Sequence, residues 1–169
     1  MADEYMMRRA DGTRVSVDEA ARIALSWILE APGESYELVI GTDSQSFEKK
    51  TRMIEVVVVR RIGRGGIFFY HPEEIGRMDV LRAKIYEETA RSLSLAGRFI
   101  PAFHDAMEIG GADPDALDVA MAVHCDVGPA GGTRPLVREI AGWVEAEGYR
   151  CLIKPDSYAA TGVANRYSK

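Results

Sequence analysis

The feature that most restricts this chain is Leu38-Val39-Ile40, an unbroken apolar run that leads through Gly41-Thr42 straight into Asp43. Such a run suits a strand covered on both faces in the middle of an α/β sheet. Ending that strand on a carboxylate gains nothing in packing, because an unpaired buried charge is costly. Two readings of Asp43 stay open at this point. Either it begins an Asx-type turn with Ser44 and Gln45, or it stands at the carboxyl end of a central strand, where open α/β sheets place their ligand sites.

The neighbouring elements follow from local pattern. Ser16 precedes Val17-Asp18-Glu19 as a capping box, and Ala20, Ile23, Ala24, Trp27 and Ile28 recur at helical spacing until Pro32-Gly33. Strand one is predicted over Tyr36 to Thr42. The β-branched run Met53 to Val59 is strand two, and Gly66 to His71 is strand three, turned by Gly63 to Gly66 and ended by Pro72. Their short connections make these three antiparallel. Met78 to Phe99 is the longest helical pattern, and steps of three and four put Leu81, Ile85, Glu88 and Ser92 on one buried stripe, with Glu87 turned about 100° away. Pro101 to Pro114 reads as an irregular connection. Strand four is predicted over Ala116 to Val127, where alternation sets His124 and Asp126 on one face. After the loop Gly128 to Thr133, Thr133 is expected to cap a helix from Arg134 to about Glu147. Tyr149 to Lys154 then forms strand five, and Pro155-Asp156-Ser157 opens a last helix.

Residues 1–14 read as a loose charged start and residues 15–169 as a single domain, long enough to bury a core without disulfides. Cys125 and Cys151 have no partner at metal-ligand spacing and are expected to be reduced and buried, as in a cytoplasmic protein. No hydrophobic signal region or membrane-length run occurs, so no membrane role is expected. The net charge of -5 argues against coating nucleic acid by bulk electrostatics. Gly128 to Thr133 lacks the Gly-Lys-Ser/Thr ending of a nucleotide P-loop, and no organic cofactor is expected. Lys49, Lys50, Arg52, Arg60, Arg61 and Arg64 have two open readings, a track for a nucleic-acid backbone or a solvated edge that discourages aggregation. His71 and His104 read as isolated.

The order of elements turns these pieces into a site. Crossover helices add strands four and five parallel to strand one, which predicts a five-stranded mixed α/β sheet flanked by helices. Strand four beside strand one makes Asp43 and Asp126 neighbours. Two such carboxylates repel unless one is protonated or a cation lies between them. Glu88 and Asp156 can reach the same edge, and four converging acids suit a hard cation such as Mg²⁺ or Mn²⁺.

This arrangement resembles the ribonuclease-H-like fold. More narrowly, Ile40-Gly41-Thr42-Asp43-Ser44-Gln45, His124-Cys125-Asp126-Val127-Gly128, Ile153-Lys154-Pro155-Asp156-Ser157-Tyr158-Ala159-Ala160 and the tail Ala164-Asn165-Arg166-Tyr167 are similar to the YkuK-type family of ribonuclease-H-like proteins, over residues 15–169. The resemblance implies a metal-dependent nuclease or phosphodiester hydrolase acting on RNA, RNA–DNA hybrid or structured DNA. In that mechanism two ions bridged by Asp43 clamp the scissile phosphate, one activating water and the other stabilising the leaving oxygen. Asp43, Glu88 and Asp126 match the first three acids of the superfamily and Asp156 the fourth, a position that varies. His124 has three open roles: metal ligand, proton shuttle or hydrogen-bond partner orienting a carboxylate. Lys154, Thr133, Ser44 and Gln45 are the expected substrate contacts, although Lys154 could instead pair with an acid. A non-catalytic nucleic-acid-binding protein of the same fold is the alternative, and a structural cation site a third.

Overall fold

Residues 4–157 are described by a computed structural model of the chain. In chain order the elements are β1 (Met6–Arg8), β2 (Arg14–Ser16), α1 (Val17–Leu29), β3 (Ser35–Ser46), β4 (Lys50–Arg61), β5 (Gly66–Gly76), α2 (Leu81–Ile109), β6 (Asp118–His124), α3 (Val137–Ala146) and β7 (Cys151–Leu152), with 3-10 turns at Pro114–Ala116 and Gly131–Leu136. They form one mixed sheet in the order β2-β1-β5-β4-β3-β6-β7. The antiparallel trio β3, β4 and β5 and the parallel additions β6 and β7 are as the sequence predicts. The strand count is not. The sheet has seven strands rather than five, because the segment expected to be loose supplies the β1–β2 hairpin, which joins β5 at Arg8↔Tyr70. Strands of three residues are too short for an alternating pattern to announce them.

The α-helices among the described residues all bury their apolar stripes in one cluster, with Tyr36, Leu38, Ile40, Val57, Val59 and Val123 of the sheet. The other sheet face carries a second cluster of Ile54, Val56 and Tyr70, with Val58 and Phe68 packed against it. Ser16 caps α1 as expected, its Oγ accepting from the Glu19 N–H at 3.1 Å. The Gly63–Gly66 turn is equally direct, with Gly63 and Gly65 at φ 80° and 86°, where an L side chain would be strained.

Several boundaries move, each for a physical reason. β3 does not stop at Thr42, since Asp43 to Ser46 stay paired with β4, Asp43 opposite Ile54; the turn reading of Asp43 is therefore wrong. β5 continues through Pro72 because β1 pairs it only at Tyr70, leaving an open side for a residue without an N–H. α2 runs 29 residues through Pro101 instead of ending near Phe99. The missing N–H leaves the Gly97 carbonyl unpaired within the helix, but Gly97 is exposed and has open space around it, so water can serve. Beyond the proline, Phe103, Ala106 and Met107 stay buried, and that packing outweighs the lost bond.

Thr133 lies within the 3-10 turn rather than capping α3, and β7 is shorter than the predicted strand five. Both cysteines are free, as expected, but only Cys125 is buried; Cys151 in β7 is half-buried, and the two sulfurs lie 3.7 Å apart. The last helix and the Ala164–Tyr167 motif fall outside the described residues. No helix among the described residues is long and apolar enough to cross a membrane.

Pro101→Ala should therefore stabilise the protein, by about 1–3 kcal/mol, by restoring the helix bond to Gly97. Chemical denaturation of the two proteins checks this, and a lower midpoint for the variant would contradict it.

Candidate active site

Two polar contacts set α2 against β3. Thr42 Oγ1 and Ser92 Oγ are 2.8 Å apart, and Ser44 Oγ donates to Glu88 Oε2 at 3.1 Å. Two residues along a strand cover about 6.6 Å, and four along a helix about 6 Å. The pairs therefore match when helix and strand run in opposite directions, and the match carries Glu88 to the carboxyl end of β3. Glu87, one position earlier, points elsewhere and accepts from Arg91 Nε at 2.8 Å. The parallel pairing of β3 with β6 ends at Gly41↔His124, and Asp43 and Asp126 each follow two residues later, Asp126 in a bend beyond the strand.

The carboxylates of Asp43, Glu88 and Asp126 each offer an oxygen within 4.8 Å of the other two. Oxygens around an octahedral ion with bonds of about 2.1 Å lie about 3 to 4 Å apart, so a small contraction would close the set on Mg²⁺ or Mn²⁺. Glu88 is only 6% exposed, and its Oε1 is buried with no hydrogen-bond partner among the described residues. An all-oxygen donor set with one such orphaned atom fits a hard divalent cation.

The electrostatics carry the same demand. Burial, then the charges of Asp43 and Asp126, push Glu88 up to about 8. Burial, then the charge of Asp126, push Asp43 up to about 6, against the Ser44 N–H and the positive charges of Lys154 and Lys84. Lys154 Nζ lies 2.8 Å from Asp126 Oδ1.

The remaining expected residues separate. Asp156 is exposed and lies outside the three converging acids. His124 is also outside them; burial lowers it to about 4, so it is neutral near pH 7, and the charges it feels are Glu37, Arg60 and Asp156. Ser44 meets Glu88 as stated. Gln45 pairs with Arg52 in the strand register, and its Oε1 is buried without a hydrogen-bond partner among the described residues. Thr133 Oγ1 accepts from the Gly128 N–H at 3.1 Å and so closes the loop after Asp126.

Lys84 was not singled out in the sequence, though it lies four residues before Glu88, one turn along the same face of α2. The basic residues of the first hairpins are largely committed, Lys50 and Arg52 to Glu74, Arg60 to Glu37 and Arg64 to Glu34. Arg61 stacks 4.3 Å from the Trp27 ring centroid. His71, expected to be isolated, stands with Glu55 and Glu73 in a second cluster.

Comparison with known proteins gives two matches. A family model described as ribonuclease H-like matches residues 20–169. The uncharacterised protein YkuK of Bacillus subtilis (strain 168) is 30% identical over 174 residues, which cover 100% of both chains. No solved structure matches.

The raised acids make stability depend on pH in a definite direction. An acid whose folded-state pKa exceeds its unfolded value contributes stability present below the unfolded value and lost as pH rises through the folded one. For Glu88 that window runs from 4.5 to about 8, and for Asp43 from 3.8 to about 6. In chelator, the melting temperature should fall between about pH 5 and about pH 8.5, and Glu88→Gln should flatten the upper part of that fall. A thermal scan across pH that is flat for the wild type would contradict the assignment.

Proposed function

Since the chain belongs to the ribonuclease H-like family and to its YkuK type, we propose that the carboxylate cleft hydrolyses phosphodiester bonds of a nucleic acid, with RNA, RNA–DNA hybrid and structured DNA as the candidate substrates. The observation that carries this reading is the convergence of Asp43, Glu88 and Asp126, with the buried Glu88 Oε1 left without a donor among the described residues. These three side chains would hold Mg²⁺ or Mn²⁺. A bound ion would supply Lewis-acid polarisation of the phosphoryl oxygen and a lowered pKa for the attacking water. In the net reaction the water oxygen bonds to phosphorus as one ester P–O bond breaks, and the released alcohol takes up a proton.

The chain's own residues orient and shield. Ser44 fixes one oxygen of Glu88, and the Thr42–Ser92 contact behind it keeps α2 in register. Glu88 is closed off from water, whereas the Asp126 and Lys154 side chains are 27% and 52% exposed, so a polymer backbone approaches from their side. With most hairpin cations already paired, affinity for the strand must come chiefly from the metal and Lys154.

The test is a Mn²⁺-dependent cleavage screen over RNA, hybrid and DNA, run beside calorimetric Mn²⁺ titration. Asp43→Asn should lose saturable metal binding and at least about 10²-fold in rate, the scale of losing one charge-stabilising group. Wild-type cleavage by an Asp43→Asn, Asp126→Asn double variant would overturn the reading.

A further inference from the structure

The carboxylate cleft has a built-in cation, and the backbone puts it there. Two backbone hydrogen bonds tie the chain beyond β6 to β7 and the segment after it: the Cys125 N–H donates to the Leu152 carbonyl at 2.9 Å and the Lys154 N–H to the Val127 carbonyl at 2.9 Å. These bonds flank the bend that carries Asp126, and the second holds Lys154 beside it. The lysine stem lies against Gly128, where a Cβ would come within 2.9 Å of Lys154 Cβ, a separation that real Cβ atoms do not tolerate. Glycine at this position leaves room for the stem. From there Nζ reaches Asp126 Oδ1 at 2.8 Å. An ammonium carries three donors, so two remain for other acceptors on the open side of the cleft.

The charge count favours one ion. Ionised around a cation, the three converging carboxylates carry three negative charges, which one divalent ion and the ammonium in contact with Asp126 balance. Two divalent ions beside Lys154 would leave an excess of positive charge, and the acid expected to help hold a second ion, Asp156, is exposed and outside the set. We propose that Lys154 takes the place of a second cation in this cleft, so that the site binds a single Mg²⁺ or Mn²⁺ and Lys154 meets the substrate phosphate beside it. This rests on the hydrolase reading above and specifies how its site is charged. A lysine is a point charge with charge-assisted hydrogen bonds, suited to stabilising an oxygen but unable to bridge ligands as a metal does.

The test counts ions rather than turnover. Mn²⁺ binding is measured by calorimetry and equilibrium dialysis on the wild type, Lys154→Met, Lys154→Arg and Lys84→Met, with melting curves to confirm folding. The expected result is one ion per chain in the wild type, in Lys154→Arg and in Lys84→Met, and two in Lys154→Met, with the first ion bound about tenfold tighter once the competing charge is gone. A count of two in the wild type, or a count that stays at one in Lys154→Met, overturns the role of Lys154. A count of two in Lys84→Met as well would make the effect one of net charge, and overturns it too. No ion bound to the folded wild type would instead overturn the metal reading beneath it, an outcome distinct from the others.

Discussion

Glu88 is a carboxylate held 6% exposed beside two other carboxylates, and the carboxyl edge of the sheet is arranged around that fact. Taking such a group out of water costs several kcal/mol unless donors or opposite charge replace the water. Ser44 supplies one donor, Lys84 a field from one turn away, and a raised pKa lets a proton supply the rest when no cation is present. The cost is carried by the packing on the same helix. Ile85, Leu95, Phe99 and Phe103 of α2 are all buried, and each such side chain contributes about 1.5–3 kcal/mol. The neutral partners at the site, Thr42 and Ser92, satisfy each other and add position rather than charge.

The proposed metal site depends on position, because metal ligation tolerates little error. β3 is fixed on one edge by the long antiparallel register with β4 and on the other by parallel pairing with β6. A slip of one residue along either would turn Asp43 to the opposite face or move Asp126 away. α2 cannot slide independently either, since a shift by one residue would break both polar contacts with β3 at once. The acids thus sit at the meeting point of three elements that constrain one another, as a preorganised site requires.

The periodicities that locate the acids were readable in the chain itself. Leu38 to Ile40 running into Asp43, and Ile85, Glu88 and Ser92 on one helical stripe, told which strand acid and which helix face would meet, although β3 runs on to Ser46 rather than ending there. The helical phase separated Glu88 from Glu87, as Arg91 bears out. What was not readable depended on tertiary circumstance. Pro72 and Pro101 look like stops, and each is passed because its missing N–H falls where no neighbouring strand needs it or where an exposed Gly97 carbonyl can meet water. The β1–β2 hairpin has too few residues for a pattern. Alternation placed His124 beside Asp126, but β6 ends at His124 and the bend that follows breaks the alternation. Lys154 left two roles open, and only the tertiary bond from its N–H to the Val127 carbonyl brings it to Asp126.

The second acidic cluster shows why composition alone does not define a metal site. Glu55, His71 and Glu73 converge as closely as the first set. There, however, the Arg91 guanidinium reaches Glu55 at 3.3 Å and Glu73 at 2.7 Å, while the Tyr5 hydroxyl donates to Glu55 Oε1 at 3.0 Å. His71 Nδ1 lies 2.6 Å from the Met6 carbonyl, and its ring stacks on Tyr5 at 4.1 Å. Every carboxylate in that cluster has a cation or donor supplied by the chain, which makes it a clasp between β1, β4, β5 and α2. At the first cluster the described residues give three acids one paired ammonium, the Ser44 hydroxyl and the Ser44 N–H, with Lys84 acting only through its field, and leave a buried oxygen without a partner. The difference between a structural knot and a site poised for a cation lies in that deficit, because a buried carboxylate already paired with arginine gains little from an ion, whereas one left short of positive charge gains much.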